Sequence, residues 1–170
     1  MLNKRRTALI LSGLVGFALG FCFRIAFEGS KFVLAEWEQE PIVVVCPDSA
    51  LTPHRVATAI EWWKNKNFKI SSFHFDQTNS ICGRSRFMEG IIFVRSKGYI
   101  DPEFYATTRR LAVGTNLLSA DINLPNSNKN MPRLLEHELG HALGLGHVEV
   151  LGHMMHPIHS HGGEKFWIPD

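Results

Sequence analysis

The chain has no internal repeat and no low-complexity tract, so neither a solenoid nor a fibrous architecture fits it. It also lacks an excess of charge of one sign. Eighteen Lys and Arg face sixteen Asp and Glu, a net charge of +2, and Lys4, Arg5 and Arg6 supply part of that surplus. No basic stripe with interleaved aromatics is present, which argues against a nucleic-acid partner. Cysteine is scarce, at three residues. Cys22 lies in an apolar run, leaving Cys46 and Cys82. These two are read either as one bridge in an oxidising compartment or as two buried free thiols, since sequence does not give the Cα separation a bridge requires. What is present is ordinary: 45% apolar and 20% charged residues, as in a globular chain. After the first thirty residues, about 140 remain, enough for one domain with its own core.

Those first residues differ from the rest. The basic cluster Lys4-Arg5-Arg6 precedes a run of 17 apolar and small residues ending at Phe23. A spanning helix needs about 17 to 25 such residues, whereas the apolar region of a cleaved signal usually has about 7 to 15. Residues 1–30 are therefore expected to be a signal-anchor or transmembrane segment, with a cleaved signal as the alternative. The basic cluster would hold the N-terminus in the cytoplasm and put the body on the extracytoplasmic side. The charged stretch 31–40 reads as a spacer, and 41–170 as the folded domain.

Along that domain, Ile42 to Val45 is a β-branched run closed by Cys46-Pro47-Asp48, a buried strand by pattern. Thr52 and Pro53 form a helix start. Val56, Ile60 and Trp63 then recur at helical spacing, predicting a helix over 53–66. Phe68 to Asp76 reads as a strand with a bulge, because Phe68 and Ile70 fall on one parity and Phe73 and Phe75 on the other. Gly90 to Arg95, 106–113 and 117–124 read as further strands, with a turn at Gly114-Thr115-Asn116. Leu134, Leu135, Leu139, Ala142 and Leu143 predict a helix over 131–143. The sum is an α/β (α+β) domain, a twisted mixed sheet with a backing helix and a second, late helix.

The late helix carries HELGHALGLGH, residues 137–147. His137 and His141, four apart, stack on one helical face about 5 to 6 Å apart at Cβ, where both can meet one ion at about 2.0 to 2.1 Å. Glu138 points beside the pair, within reach of a water on the metal. A straight helix would carry residue 147 away. Gly144 sits where a positive φ would end the helix, and Leu145-Gly146 lets the chain double back and deliver His147. Three neutral imidazoles with one open position describe a catalytic Zn²⁺ site, not a structural one. Five such positions would coincide in a chain this long on the order of once in a hundred thousand. Leu139, Leu143 and Leu145 between them are core packing.

This segment resembles the H-E-x-x-H-x-x-G-x-x-H signature of the metzincin metallopeptidases. Gly152-His153-Met154-Met155-His156-Pro157 is similar to the methionine turn of the matrixin branch, with Met155 as its methionine. The resemblance implies a zinc endopeptidase, expected as a monomer, that cuts a protein or peptide lying extended against an edge strand. By position that edge is 117–124, and the loop after Pro157 forms one wall of the primed-side pocket. It further implies that Glu138 is the general base and that Met155 floors the site. The chain departs from the family in having His156 and His159 where tyrosines are usual. Only 13 residues follow Pro157, so the closing helix is expected to be short or absent. Neither the family's latency peptide nor Asp/Gly-rich calcium runs are visible. His153, His156, His159 and His161 read as solvent-exposed loop residues, with a second metal site or a pH-sensitive rim as the alternative. Rival readings are a membrane-tethered module that keeps zinc only for folding, and an envelope hydrolase cutting peptide cross-links. A third zinc ligand from Glu149 or Glu164 is disfavoured, since His147 already stands at the expected spacing.

Overall fold

The computed structural model describes residues 32–96 and 104–169. The anchor or signal expected over 1–30 lies outside the described residues. The two most apolar runs lie side by side at the centre. Strand β2 (Ile42–Val45) pairs in parallel with β4 (Ile91–Arg95), and on its other side with β3 (Ser72–Phe75). Strand β4 pairs in parallel with β6 (Asn116–Asn123), and the short β1 (Glu36–Trp37) continues that side. Strand β5 (Thr107–Val113) is the antiparallel member, running back along β6 with a bulge between Leu111 and Ala112. The central strands β2 and β4 are buried on both faces, so their sequences are continuous apolar runs, whereas the outer parallel strand β3 alternates exposed and half-buried residues. Val43, Val45, Ile92, Val94, Ala120 and Ile122 face the helices, while Val44, Cys46, Cys82 and Phe93 pack on the opposite face.

Helix α1 (Pro53–Lys64) starts as expected: the Thr52 hydroxyl accepts from the Arg55 N–H at 3.2 Å. It buries Val56, Ala59, Ile60 and Trp63. Helix α2 is shorter than 131–143, covering Leu134–Ala142. Pro132 disfavours the helical region for the residue before it, and Arg133 adopts a left-handed φ of 65°. The strand expected over 68–76 is also shorter and carries no bulge, since β3 keeps an unbroken register with β2. Phe68 belongs instead to the link after α1, its N–H bonded to the Trp63 carbonyl at 3.1 Å. The parity break in the sequence marks two segments, not one distorted strand.

Two further expectations change. Residues 32–37 are part of the domain, not a spacer. Phe32 and Ala35 are buried, and Trp37 donates its indole N–H to the Ala142 carbonyl at 2.9 Å. Exposed Glu36, Glu38 and Glu40 gave the stretch its charged look. The substrate-facing edge is not 117–124 either. β6 is paired on both sides and largely buried, whereas beyond β5 no strand follows among the described residues. The apolar content of β6 is that of a central strand.

Cys46 and Cys82 form a disulfide, with Cα atoms 5.8 Å apart. The loop that delivers Cys82 is organised by Asp76. Its carboxylate accepts the backbone N–H groups of Ser80, Ile81 and Cys82 at 2.7 to 3.0 Å. The Cys82 N–H above all, then Ile81 and Ser80, pull the Asp76 pKa from 3.8 to about 2 against the opposing effect of burial. A carboxyl depressed on folding stabilises the fold above its unfolded value and ceases to do so as pH falls through the folded one. Asp76→Asn is therefore expected to lower the urea midpoint at pH 6. The gap to wild type should narrow between about pH 4 and pH 2; a gap that stays constant over that window would remove the ionised carboxylate from this role.

Candidate metal centre

The site is built on the cleft-facing side of α2, where His137 and His141 are half-buried. His137 and His141 stand one turn apart, with ring centroids 4.7 Å apart and Nε2 atoms 3.0 Å apart. At the end of the helix the Gly144 N–H bonds to the His141 carbonyl and the Leu145 N–H to the Gly140 carbonyl, both at 3.0 Å. This pair of bonds is a Schellman closure, and it requires the φ of +100° that Gly144 adopts. The reversed chain is clamped from outside, because the Leu34 N–H donates to the Gly144 carbonyl at 2.8 Å and the Gly146 N–H to the Phe32 carbonyl at 2.7 Å. His147 is thereby brought back, and its Nε2 lies 3.1 Å from that of His141.

The other ring nitrogens fix the tautomers. His137 Nδ1 donates to the Met154 carbonyl and His141 Nδ1 to the Leu145 carbonyl, both at 2.9 Å. The Nε2 lone pairs of those two rings then point at the same spot as His147. Burial first, and the neighbouring imidazoles after it, push the His137 pKa down to about 4 and that of His141 down to about 3. Burial lowers that of His147 as well. All three rings are thus neutral near pH 7, as metal ligands must be. Around a tetrahedral zinc with Zn–N of about 2.05 Å, ligand nitrogens sit roughly 3.3 Å apart. The two spacings through His141, 3.0 and 3.1 Å, are within a few tenths of an ångström of that value, and all three nitrogens lie within 4.8 Å of one another, so these three residues fit zinc and leave one position open. Among the described residues no other group of His, Cys, Asp or Glu side chains converges in this way.

The profile of one known family, the matrixins, matches residues 49–170. The chain belongs to the matrixin family. A search of curated proteins found none that match. The domain is accordingly a zinc metallopeptidase domain of the matrixin type.

Met155 is fully buried and packs against α2, since a side chain at Gly140 would run into Met155 Sδ and the Trp63 ring. Trp63 also donates its indole N–H to the Glu136 carbonyl at 2.7 Å. Arg55 of α1 grips the Glu136 carboxylate with two bonds of 2.6 Å. Helix α1 therefore anchors α2 at the residue just before His137. Glu138 is buried beside the cluster, and burial raises its pKa to about 7 despite a hydrogen bond from Thr108. The Thr108 hydroxyl lies 2.5 Å from Glu138 Oε2. A cleft of about 640 Å³ opens over these groups, bounded by Tyr105, Arg110, Leu134, His156 and Ile158.

Thr108 and Arg110 escaped the sequence reading because nothing in their spacing marks them. Only their shared parity on β5, once β5 is known to be the edge, turns both toward α2. The C-terminal histidines also need correction. His153 and His156 are buried, not solvent-exposed. His153 Nδ1 accepts the Met155 N–H at 3.1 Å, so its Nε2 donates to the Trp167 carbonyl at 3.0 Å. Its ring stands against Phe32, Phe166 and Trp167, tying the methionine turn to the C-terminal tail. After Pro157 the described residues contain one 3-10 turn, His159–His161, in place of a closing helix.

Proposed function

We propose that this domain is a zinc-dependent endopeptidase with His137, His141 and His147 as metal ligands and Glu138 as general base. The observation that carries the proposal is the convergence of three neutral imidazole nitrogens beside one buried carboxyl. When bound there, zinc lowers the pKa of a coordinated water from about 15.7 to about 7 and polarises a carbonyl. Glu138, poised near pH 7 by its burial, accepts the proton of the attacking water and passes it to the leaving amine. The outer edge of β5 offers backbone N–H and C=O groups to a peptide in extended conformation. The walls formed by Leu134, Tyr105 and Ile158 shield the reaction from bulk water.

The N-terminal run belongs to the same proposal, as a membrane anchor that places the domain on the extracytoplasmic side, or as a signal that releases it. The arrangement does not favour the rival of zinc kept for folding alone, since a structural site has no use for a buried carboxyl near neutral pKa. The test uses the full-length chain. Casein or gelatin should be cut by protein holding one zinc per chain, cutting should stop with a chelator, and added zinc should restore it. Bound zinc with no turnover of any protein or peptide would instead support the rival.

Thr108 has a defined part in this scheme. Its hydroxyl holds one carboxylate oxygen of Glu138 and leaves the other free for the water. A hydrogen bond to a charged group contributes about 1.5 to 3 kcal/mol, so Thr108→Val is expected to lower kcat roughly 10- to 100-fold with little change in KM. Thr108→Ser should recover most of the loss. Equal losses in both variants would mean that packing, not the hydroxyl, is what matters.

A further inference from the structure

Half-buried Arg55 and buried Arg95 pair with carboxylates, whereas among the described residues half-buried Arg133 and Arg110 do not. Arg55 meets Glu136 at 2.6 Å, and Arg95 meets Asp121 at 2.6 Å. Arg110 is half-buried on β5, two residues beyond Thr108 and on the same face, and it lines the cleft. Among the described residues it has no carboxylate partner. One nitrogen, Nη1, reaches the His141 carbonyl at 3.3 Å and the Leu145 carbonyl at 3.4 Å, both at the long end of the hydrogen-bonding range. Among the described residues no hydrogen bond engages Nη2 or Nε, and the residue lines the cleft. Burial lowers its pKa, in keeping with a cation held partly out of water without a counterion.

The titratable side chains lining the same cleft are His137, His141, His147, His156, His159, Tyr105 and Glu138. Glu138 is the one carboxylate among them, and it is engaged by Thr108. With the three imidazoles neutral, the Arg110 guanidinium is the cationic side chain of the cleft lining, a planar donor fork. That fork matches a carboxylate in two-point geometry, and a partly desolvated guanidinium gains most from such a pairing.

Resting on the peptidase reading above, we propose that Arg110 recognises a carboxylate of the substrate, so that the cleft selects peptides bearing an acidic group beside the scissile bond. Two sources share this chemistry, an Asp or Glu side chain and a free peptide C-terminus, and one experiment separates them. The full-length chain with Glu138→Gln is loaded with zinc, and fluorescent decapeptides are titrated by anisotropy. One pair differs by Asp against Asn, moved one position at a time. A second pair differs by a free against an amidated C-terminus.

The expected result is at least tenfold tighter binding of one carboxylate member over its neutral twin. Adding Arg110→Gln should bring that ratio close to one, and Arg110→Lys should restore part of it. A ratio within twofold in both pairs overturns the inference, and so does a ratio that survives Arg110→Gln with zinc content unchanged. If Arg110→Gln fails to fold or to hold zinc, the ratio of the parent and that of Arg110→Lys decide. Failure of every peptide to bind would count against the peptidase reading itself, and the inference would fall with it.

Discussion

Glu138→Gln is expected to keep its zinc and lose peptide cleavage by about 10²- to 10⁴-fold, the range over which a positioned general base acts. The substitution preserves the size of the side chain and can still accept from Thr108, whose hydroxyl lies 2.5 Å from Oε2. It removes only the capacity to take up a proton. The three imidazoles do not depend on it, because their orientation comes from the Met154 and Leu145 carbonyls and from the Gly144 turn. Zinc content by atomic absorption and turnover of a quenched peptide separate the two effects. Loss of zinc together with activity would make Glu138 a structural element of the site. Retained turnover would remove it from the chemistry.

Gly144→Ala is expected to damage both fold and site. The position has a φ of +100°, a region that costs a residue with a Cβ about 1 to 3 kcal/mol. Geometry adds to this, because the new Cβ would collide with the Ala35 carbonyl oxygen. The chain must shift, and the segment that shifts is the one delivering His147. Disturbing groups that only orient a metal ligand costs about 10- to 100-fold in affinity, and displacing a ligand itself should exceed that range. We expect zinc affinity to fall by more than about 100-fold, and the melting temperature of the metal-free chain to fall as well. Gly146→Ala is the control. A Cβ there would meet the Phe32 carbonyl oxygen at an ordinary 3.5 Å, so zinc affinity should change little. Equal effects at the two glycines would show that general loosening, not the reversal at Gly144, governs the site.

Much of the local structure could be read from residue order because short-range chemistry dictates it. The Thr52-Pro53 helix start, the β-branched run at 42–45, the four-residue spacing of His137 and His141 and the turn at Gly144 all depend on neighbours within a few positions. Element ends were less legible. Nothing local distinguishes Phe68 and Ile70, which link α1 to the sheet, from the strand that follows them. The charged residues of 36–40 likewise hid the apolar ones that anchor residues 32–37 against the Gly144 turn.

Residue order alone thus determined the donor set, three histidines and a carboxyl, and the helix and turn that space them, since each follows from 3.6-residue periodicity and the freedom of glycine at positive φ. Only the tertiary structure decided which strand forms the outer edge. Strand pairing joins residues far apart in the chain, and it set β5 rather than β6 at the outer edge. That pairing brings Thr108 against Glu138 and Arg110 into the cleft, contacts across about thirty positions that no pattern of neighbours encodes.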